Sequence, residues 1–258
     1  MKIVIKVGTS TLTHATGHLN IRRIETLVKV MSDLKNAGHQ LVLVSSGAIG
    51  MGVGKLSLSK RPTDMPTKQA AAAVGQCELM YTYDKLFSEY NHVVAQILLT
   101  GNDIENHQRR ENFQNTMSRL LELGALPIIN ENDTVATEEI AVGDNDSLGA
   151  IVACAVGADL LILLSDIEGL YTADPHKHPE ATLIARVEEI TPAVEALAGD
   201  KGSELAVGGM ATKLRAAKMT TAQGIDMVIA NGAKPENLYD IVEEKPVGTR
   251  FVGRRNPI

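Results

Sequence analysis

The sequence predicts an α/β fold on a largely parallel sheet, and three features of the chain carry that prediction. Apolar, β-branched runs of strand length recur along it, bounded by glycine or small polar residues, as strands buried on both faces do. Amphipathic helical stretches separate these runs, so the connections are long enough for parallel crossovers. The rhythm continues to the C-terminus with no repeat, low-complexity tract or long linker, which gives one domain, residues 1–258, with two lobes on one sheet divided near residue 150.

Taken in order, Met1 to Val7 reads as a first strand that breaks into Gly8-Thr9-Ser10. Asn20 suits the cap of a helix whose Ile21, Ile24, Leu27, Val28, Met31 and Leu34 share a face, stopped at Gly38. Leu41 to Val44 returns as a second strand and completes a βαβ unit. The glycine-spaced segment Ser45 to Gly54 suits close packing or a ligand near the backbone. It lacks the dinucleotide fingerprint and its acidic partner, so a nicotinamide site is disfavoured. Then follow a helix from Thr67 to Tyr90, a strand from Val93 to Leu99, a polar helix from Arg109 to Leu123 and a strand from Leu126 to Ile129. Val135 to Val142 alternates like a short strand or hairpin, and a helix runs from Leu148 to Val156. Further strands are expected at Leu160–Leu164, Thr182–Val187, Met227–Ala230 and Thr249–Val252, with helices at Pro192–Ala198, after Gly209 and at Leu238–Val242.

Composition narrows the classes of function. A formal net charge of -6 gives no electrostatic case for nucleic acid or an anionic membrane, so an anionic ligand needs a local cluster of donors. The two cysteines, Cys77 and Cys154, form no disulfide framework or metal-ligand spacing, and a reducing cytoplasm fits best. The apolar stretch Ala150 to Leu164 is broken by Gly157 and Asp159 and reads as helix then strand, not as a membrane span.

Several clusters carry chemistry. Lys6 lies in the last apolar pair of the first strand; at a fraying strand end it would project over the crevice above the sheet, with Gly8, Thr9 and Ser10 beside it. The same residues also suit a lysine at a strand edge beside an ordinary turn. Asn130-Glu131-Asn132-Asp133 follows the fourth strand, and Gly143-Asp144-Asn145-Asp146-Ser147 opens a helix. Capping accounts for one or two of the polar residues in the second cluster but not for both clusters together. Carboxylates and amides so crowded suit a small zwitterion, whose ammonium needs an acid and whose carboxylates need amide donors. Ser165 to Pro175 is a loop at a strand's carboxyl end, where open α/β sheets place ligands, although a capped turn explains it equally well. Gly208-Gly209 precedes a helix with Lys213 one turn inside, so free N–H groups and the positive helix end meet where a phosphate would sit.

In order, Lys6 to Ser10, Ser45 to Ile49, Asn130 to Asp133, Val142 to Asp146 and Gly208 to Lys213 resemble the motifs of the glutamate 5-kinase (γ-glutamyl kinase) branch of the amino-acid kinase family, over nearly the whole chain. The resemblance implies a three-layer αβα sandwich and ATP-dependent phosphorylation of the L-glutamate side-chain carboxylate, the first step toward proline. It implies that Lys6 and Lys213 contact the transferring phosphoryl group and that Asp146 holds the lysines. It places glutamate on Ser46, Asp133 and Asn145 in a lobe of residues 1–150. It places ATP on Lys6, Ser165, Asp166 and the run Val207, Gly208, Gly209, Met210, Ala211, Thr212, Lys213, in a lobe of residues 151–258. Mg²⁺ would arrive with the ATP phosphates, without direct protein ligands. A homo-oligomer (dimer or tetramer) and coupling to glutamyl phosphate reductase are further implications, with neither nucleic acid nor membrane as partner. Val207 replaces a frequent threonine, Ser165 keeps the hydroxyl of another, and the RNA-binding-like domain that many relatives carry after the kinase is expected to be missing. A kinase for another small acid, or a non-catalytic sensor of nucleotides or oxyanions, are the alternatives.

Overall fold

A computed structural model describes residues 1–14, 16–136, 145–175, 177–198 and 209–254. Its strands are β1 (Lys2–Val7), β2 (Gln40–Val44), β3 (Val94–Leu99), β4 (Leu126–Glu131), β5 (Leu160–Ser165), β6 (Arg186–Val187), β7 (Asp226–Asn231) and β8 (Thr249–Phe251). They form one sheet in the order β3-β4-β2-β1-β5-β7-β8-β6. Only the β7–β8 pairing is antiparallel among those described. The chain fills one side of β1 with β2, β3 and β4, then crosses to the other with β5. The seam between β1 and β5 is therefore a topological switch point, and the crevice beyond its carboxyl ends is where this architecture places ligands.

Helices α1 (Thr9–Leu12), α2 (Ile21–Asn36), α3 (Ala48–Lys55), α4 (Met65–Ser88), α5 (Gly101–Glu105), α6 (His107–Glu122), α7 (Asn145–Val156), α8 (Pro192–Ala196), α9 (Met210–Ala222) and α10 (Asn237–Val242) complete the described elements. Alternation along β1 decides which helices each residue meets. Ile3, Ile5 and Val7 join Leu27 and Met31 of α2, Leu79, Tyr83 and Phe87 of α4, and Leu238 of α10 in one core. Val4 faces the opposite core with Met117 of α6, Leu148 and Val152 of α7, and Leu214 and Ala217 of α9. Two cores on one sheet make the expected three layers, and Lys6, in register with Val4, is directed toward α7 and α9. Asn20 caps α2 as expected, accepting the Arg23 N–H at 3.2 Å.

Several elements differ from expectation. The glycine-spaced segment forms α3, a helix that propensity disfavours at roughly 1 kcal/mol per glycine. Packing compensates. A Cβ on Gly52 would overlap the Ala71 carbonyl oxygen, and one on Gly75 the Ala48 carbonyl oxygen, so α3 and α4 meet backbone to backbone. Helix α7 begins earlier than expected, which puts Asn145 and Asp146 in its first turn. The strand expected at Thr182–Val187 is reduced to β6 and an isolated Tyr171–Leu183 bridge. The expected hairpin beyond Ala136, the Val142–Asp144 part of its motif, and the run from Gly199 to Gly208 lie outside the described residues. Among the described residues no helix is long and apolar enough to cross a membrane.

Candidate active site

Lys6 is not at a fraying strand end. It pairs in register with Val44 of β2 and Leu163 of β5, and only 8% of its surface is exposed. A buried ammonium requires a partner, and Asp146 supplies it: Lys6 Nζ donates to Asp146 Oδ1 at 2.7 Å. Gly149, one turn into α7, makes room for the lysine stem, since a Cβ there would approach Lys6 Cβ to 3.3 Å. Lys213 Nζ, from the first turn of α9, donates to the other Asp146 oxygen at 3.0 Å. Thr212 Oγ1 also lies 3.1 Å from Oδ2 and donates to the Gly209 carbonyl at 2.8 Å.

Among the described residues the cluster joins two lysines to one aspartate, all nearly excluded from water, Asp146 being 2% and Lys213 3% exposed. Burial works to raise the Asp146 carboxyl, but Lys6 and Lys213 outweigh it and hold the group below the usual carboxylate range. Its place at the start of α7 adds the favourable helix-end field. The two ammonium groups are thus held at the β1/β5 seam, where they can meet developing negative charge on a bound group without reorganising. Helix α9 contributes the second field. Its N-cap, Gly209, has no side chain to occupy the first N–H groups, and no acidic residue stands in its first turn.

A second group of polar residues surrounds the start of α7. The Asn145 amide nitrogen lies 2.7 Å from Ser46 Oγ, 2.8 Å from the Ser45 carbonyl oxygen and 3.2 Å from Asn130 Oδ1. Asn130 in turn donates to Gln76 Oε1 at 2.9 Å, and Gln76 donates to Gln96 Oε1 at 3.0 Å. Ser45 Oγ meets the buried Tyr83 hydroxyl at 3.0 Å. Asp133 stands on the wall of a small pocket with Gln76, Leu98, Glu131 and Ala48. Burial first, and the charge of Glu131 second, push its carboxyl up to about 6. A partly buried acid so raised is one that an ammonium would stabilise.

The structure therefore gathers Lys6, Asp146, Thr212 and Lys213 into one cluster, and Ser46 and Asn145 into a second that shares the first turn of α7. Ser165 and Asp166 stand at the end of β5 beside β1, Ser165 Oγ donating to Asp166 Oδ1 at 3.0 Å. Gly209, Met210 and Ala211 open α9; Val207 and Gly208 lie outside the described residues. Sequence reasoning passed over Gln76 and Tyr83, and carried Ser45 and Asn130 only as members of their motifs, without a role of their own. The available signal was Gln76 itself, a polar residue on the buried α4 stripe of Ala72, Leu79, Tyr83 and Phe87. Among the described residues no cluster of three His, Cys, Asp or Glu side chains is arranged for a metal.

A mainly parallel αβα sandwich with two buried lysines on one aspartate at its switch point and a glycine-started helix beside them is an arrangement suited to a phosphate-bearing ligand. The chain belongs to the amino acid kinase family, whose family model matches residues 1–231. It is 53% identical to the glutamate 5-kinase of Clostridium perfringens, over 98% of this chain and 96% of that relative. It is 54% identical to the glutamate 5-kinase of Clostridium acetobutylicum, over 97% of this chain and 94% of that one. The carbamate kinase of Giardia lamblia, solved bound to AMP-PNP, shares the fold with a TM-score of 0.71 at 17% identity, each chain being covered over 98%.

Proposed function

We infer that this chain is an ATP-dependent kinase that phosphorylates the side-chain carboxylate of L-glutamate, giving L-glutamyl 5-phosphate, the entry step of proline synthesis. The observation that carries the chemistry is the Lys6–Asp146–Lys213 cluster at the β1/β5 seam. The near-full-length similarity to glutamate 5-kinases carries the substrate.

In the mechanism we propose, a glutamate side-chain oxygen attacks the γ-phosphorus of ATP in line. A new P–O bond forms as the bond to the β,γ-bridging oxygen breaks, and ADP leaves with that electron pair. No proton has to move, because a side-chain carboxylate of pKa about 4.3 is already ionised near neutrality. Lys6 and Lys213 stabilise the charge spread over the phosphoryl oxygens, and Asp146 fixes both ammonium groups at the needed spacing. Glutamate lies on the half of the sheet formed by residues 1–150, with its ammonium toward Asp133 and its polar groups toward Ser46 and Asn145. ATP lies on residues 151–258, on Ser165, Asp166 and the run from Val207 to Lys213, whose helix N–H groups receive phosphate.

Both Asp146 oxygens are engaged by lysines, so that carboxylate is not offered to a metal. This suits Mg²⁺ held by the ATP phosphates and water, where it would neutralise phosphate charge. We further propose a cytoplasmic homo-oligomer, dimer or tetramer, that delivers its reactive acyl phosphate to a reductase. Free thiols at Cys77 and Cys154 are in keeping with a reducing compartment. A panel of glutamate, aspartate, acetylglutamate and UMP, assayed for ATP consumption, tests the assignment. Glutamate alone should support turnover, and preference for another acceptor would overturn it.

A further inference from the structure

We infer that Thr249, on the far strand β8, is a positioning residue for the nucleotide, acting through the loop that follows β5. The inference rests on the reading above that this loop, beginning at Ser165 and Asp166, holds ATP.

Thr249 is wholly buried, and its hydroxyl is used twice. It accepts the Leu170 N–H at 2.8 Å and donates its proton to the Ile184 carbonyl at 2.6 Å. Around it the loop is bonded to the returning chain: Ile184 N–H to the Leu170 carbonyl at 2.8 Å, and Thr172 N–H to the Thr182 carbonyl at 3.0 Å. Gly169 presses directly against this staple. It has φ +158, and a Cβ there would crowd the Thr249 hydroxyl, the Thr249 N–H and Leu183. The loop's other end is tied to the sheet, with Gly232 N–H on the Ser165 carbonyl at 2.7 Å and Asn231 Nδ2 on Glu168 Oε1 at 2.7 Å.

One hydroxyl thus supplies an acceptor and a donor that no apolar side chain of the same shape can replace. Without it the buried Leu170 N–H loses its partner, and the loop spends part of its time detached. Nucleotide affinity then falls in proportion to the fraction of chains in which the loop is placed for binding. The glutamate group stands on β2, β4 and α7 and shares none of these bonds, so the effect should be confined to one substrate.

The test uses the full chain with Thr249→Val, which keeps the shape and removes the hydroxyl, and Thr249→Ser, which keeps the hydroxyl. Thr249→Cys replaces the valine variant if that one does not fold. Thr249→Val should raise the KM for ATP and the calorimetric Kd for ADP by at least about threefold and at most about tenfold, the limit set by loss of one buried hydrogen bond. Its KM for glutamate should stay within about twofold, and Thr249→Ser should restore both nucleotide values. Unchanged ADP affinity in folded Thr249→Val, or an equal rise in both KM values, would overturn the inference. Asp166→Ala separates the two layers of the argument. If it weakens ADP while Thr249→Val does not, the positioning role alone fails; if neither weakens ADP, the loop is not the nucleotide site and the reading beneath it fails as well.

Discussion

With Asp133 as the proposed partner of the substrate ammonium, glutamate binding should respond to protons in a range where the chemistry itself does not. Its carboxyl is pushed up to about 6, by burial and then by the neighbouring Glu131 charge. If only the ionised form receives the substrate ammonium, the KM for glutamate should be level above pH 7, about twofold higher at pH 6 and about elevenfold higher at pH 5. Glutamate's own side chain does not titrate until about pH 4.3, and kcat should hold steady over the same range. The stability of the free protein moves with the opposite benefit. The unfolded chain releases this proton near pH 3.9 and the folded one near 6, so stability falls as pH rises between these values and is level above them. About two pK units at ~1.4 kcal/mol each set the cost at no more than ~3 kcal/mol. Asp133→Asn should therefore melt higher than the parent at pH 7 while binding glutamate poorly and without the rise below pH 6. The assay is initial-rate kinetics at saturating ATP from pH 5 to 8, paired with thermal melts. A KM that stays flat down to pH 5, or the same acid-side rise in the asparagine variant, would refute the reasoning.

Other outcomes follow from the same geometry. Lys6→Ala and Lys213→Ala should each lower kcat by roughly 10²-fold or more in folded protein, because a preorganised transition-state donor is lost; turnover near that of the parent in either would remove its assigned role. Asp146→Asn leaves two buried ammonium groups facing a neutral amide, so it should destabilise the fold by roughly 3–5 kcal/mol in denaturant titration, and a variant as stable as the parent would contradict the compensation argument. Gly75→Ala, which drives a methyl group into the Ala48 carbonyl, should lower the melting temperature and raise the KM for glutamate through displacement of the Ser46 segment, whereas Ala73→Ser on the exposed face should do neither.

The layered fold was legible because β-branched runs and 3.6-residue periodicity both survive in the sequence, and the helix cap at Asn20 fell where its side chain and the following apolar face required. Helix α3 was not, because three glycines in eight residues argue against a helix locally; what forms it is contact with Gly75 and Ala71, distant in sequence. The candidate residues stand out in the sequence as motifs, but their charge compensation does not. Lys6 looked like a group escaping the core from a strand end, since nothing local reveals that Asp146, from a helix 140 residues on, neutralises it in place. Gln76 was overlooked, and Asn130 left without a role of its own, for a similar reason. Only folding joins Asn130 to Asn145 and, through Asn130, Gln76 to the same network.

The central claim is direct transfer of phosphate to the glutamate side chain, and hydroxylamine trapping of the acyl phosphate measures that product. With Mg-ATP and glutamate, the protein should form glutamyl hydroxamate in step with ADP release, and Lys213→Ala should slow both by the same factor. ADP release without hydroxamate, or a phosphoenzyme isolated from ATP in the absence of glutamate, would contradict it.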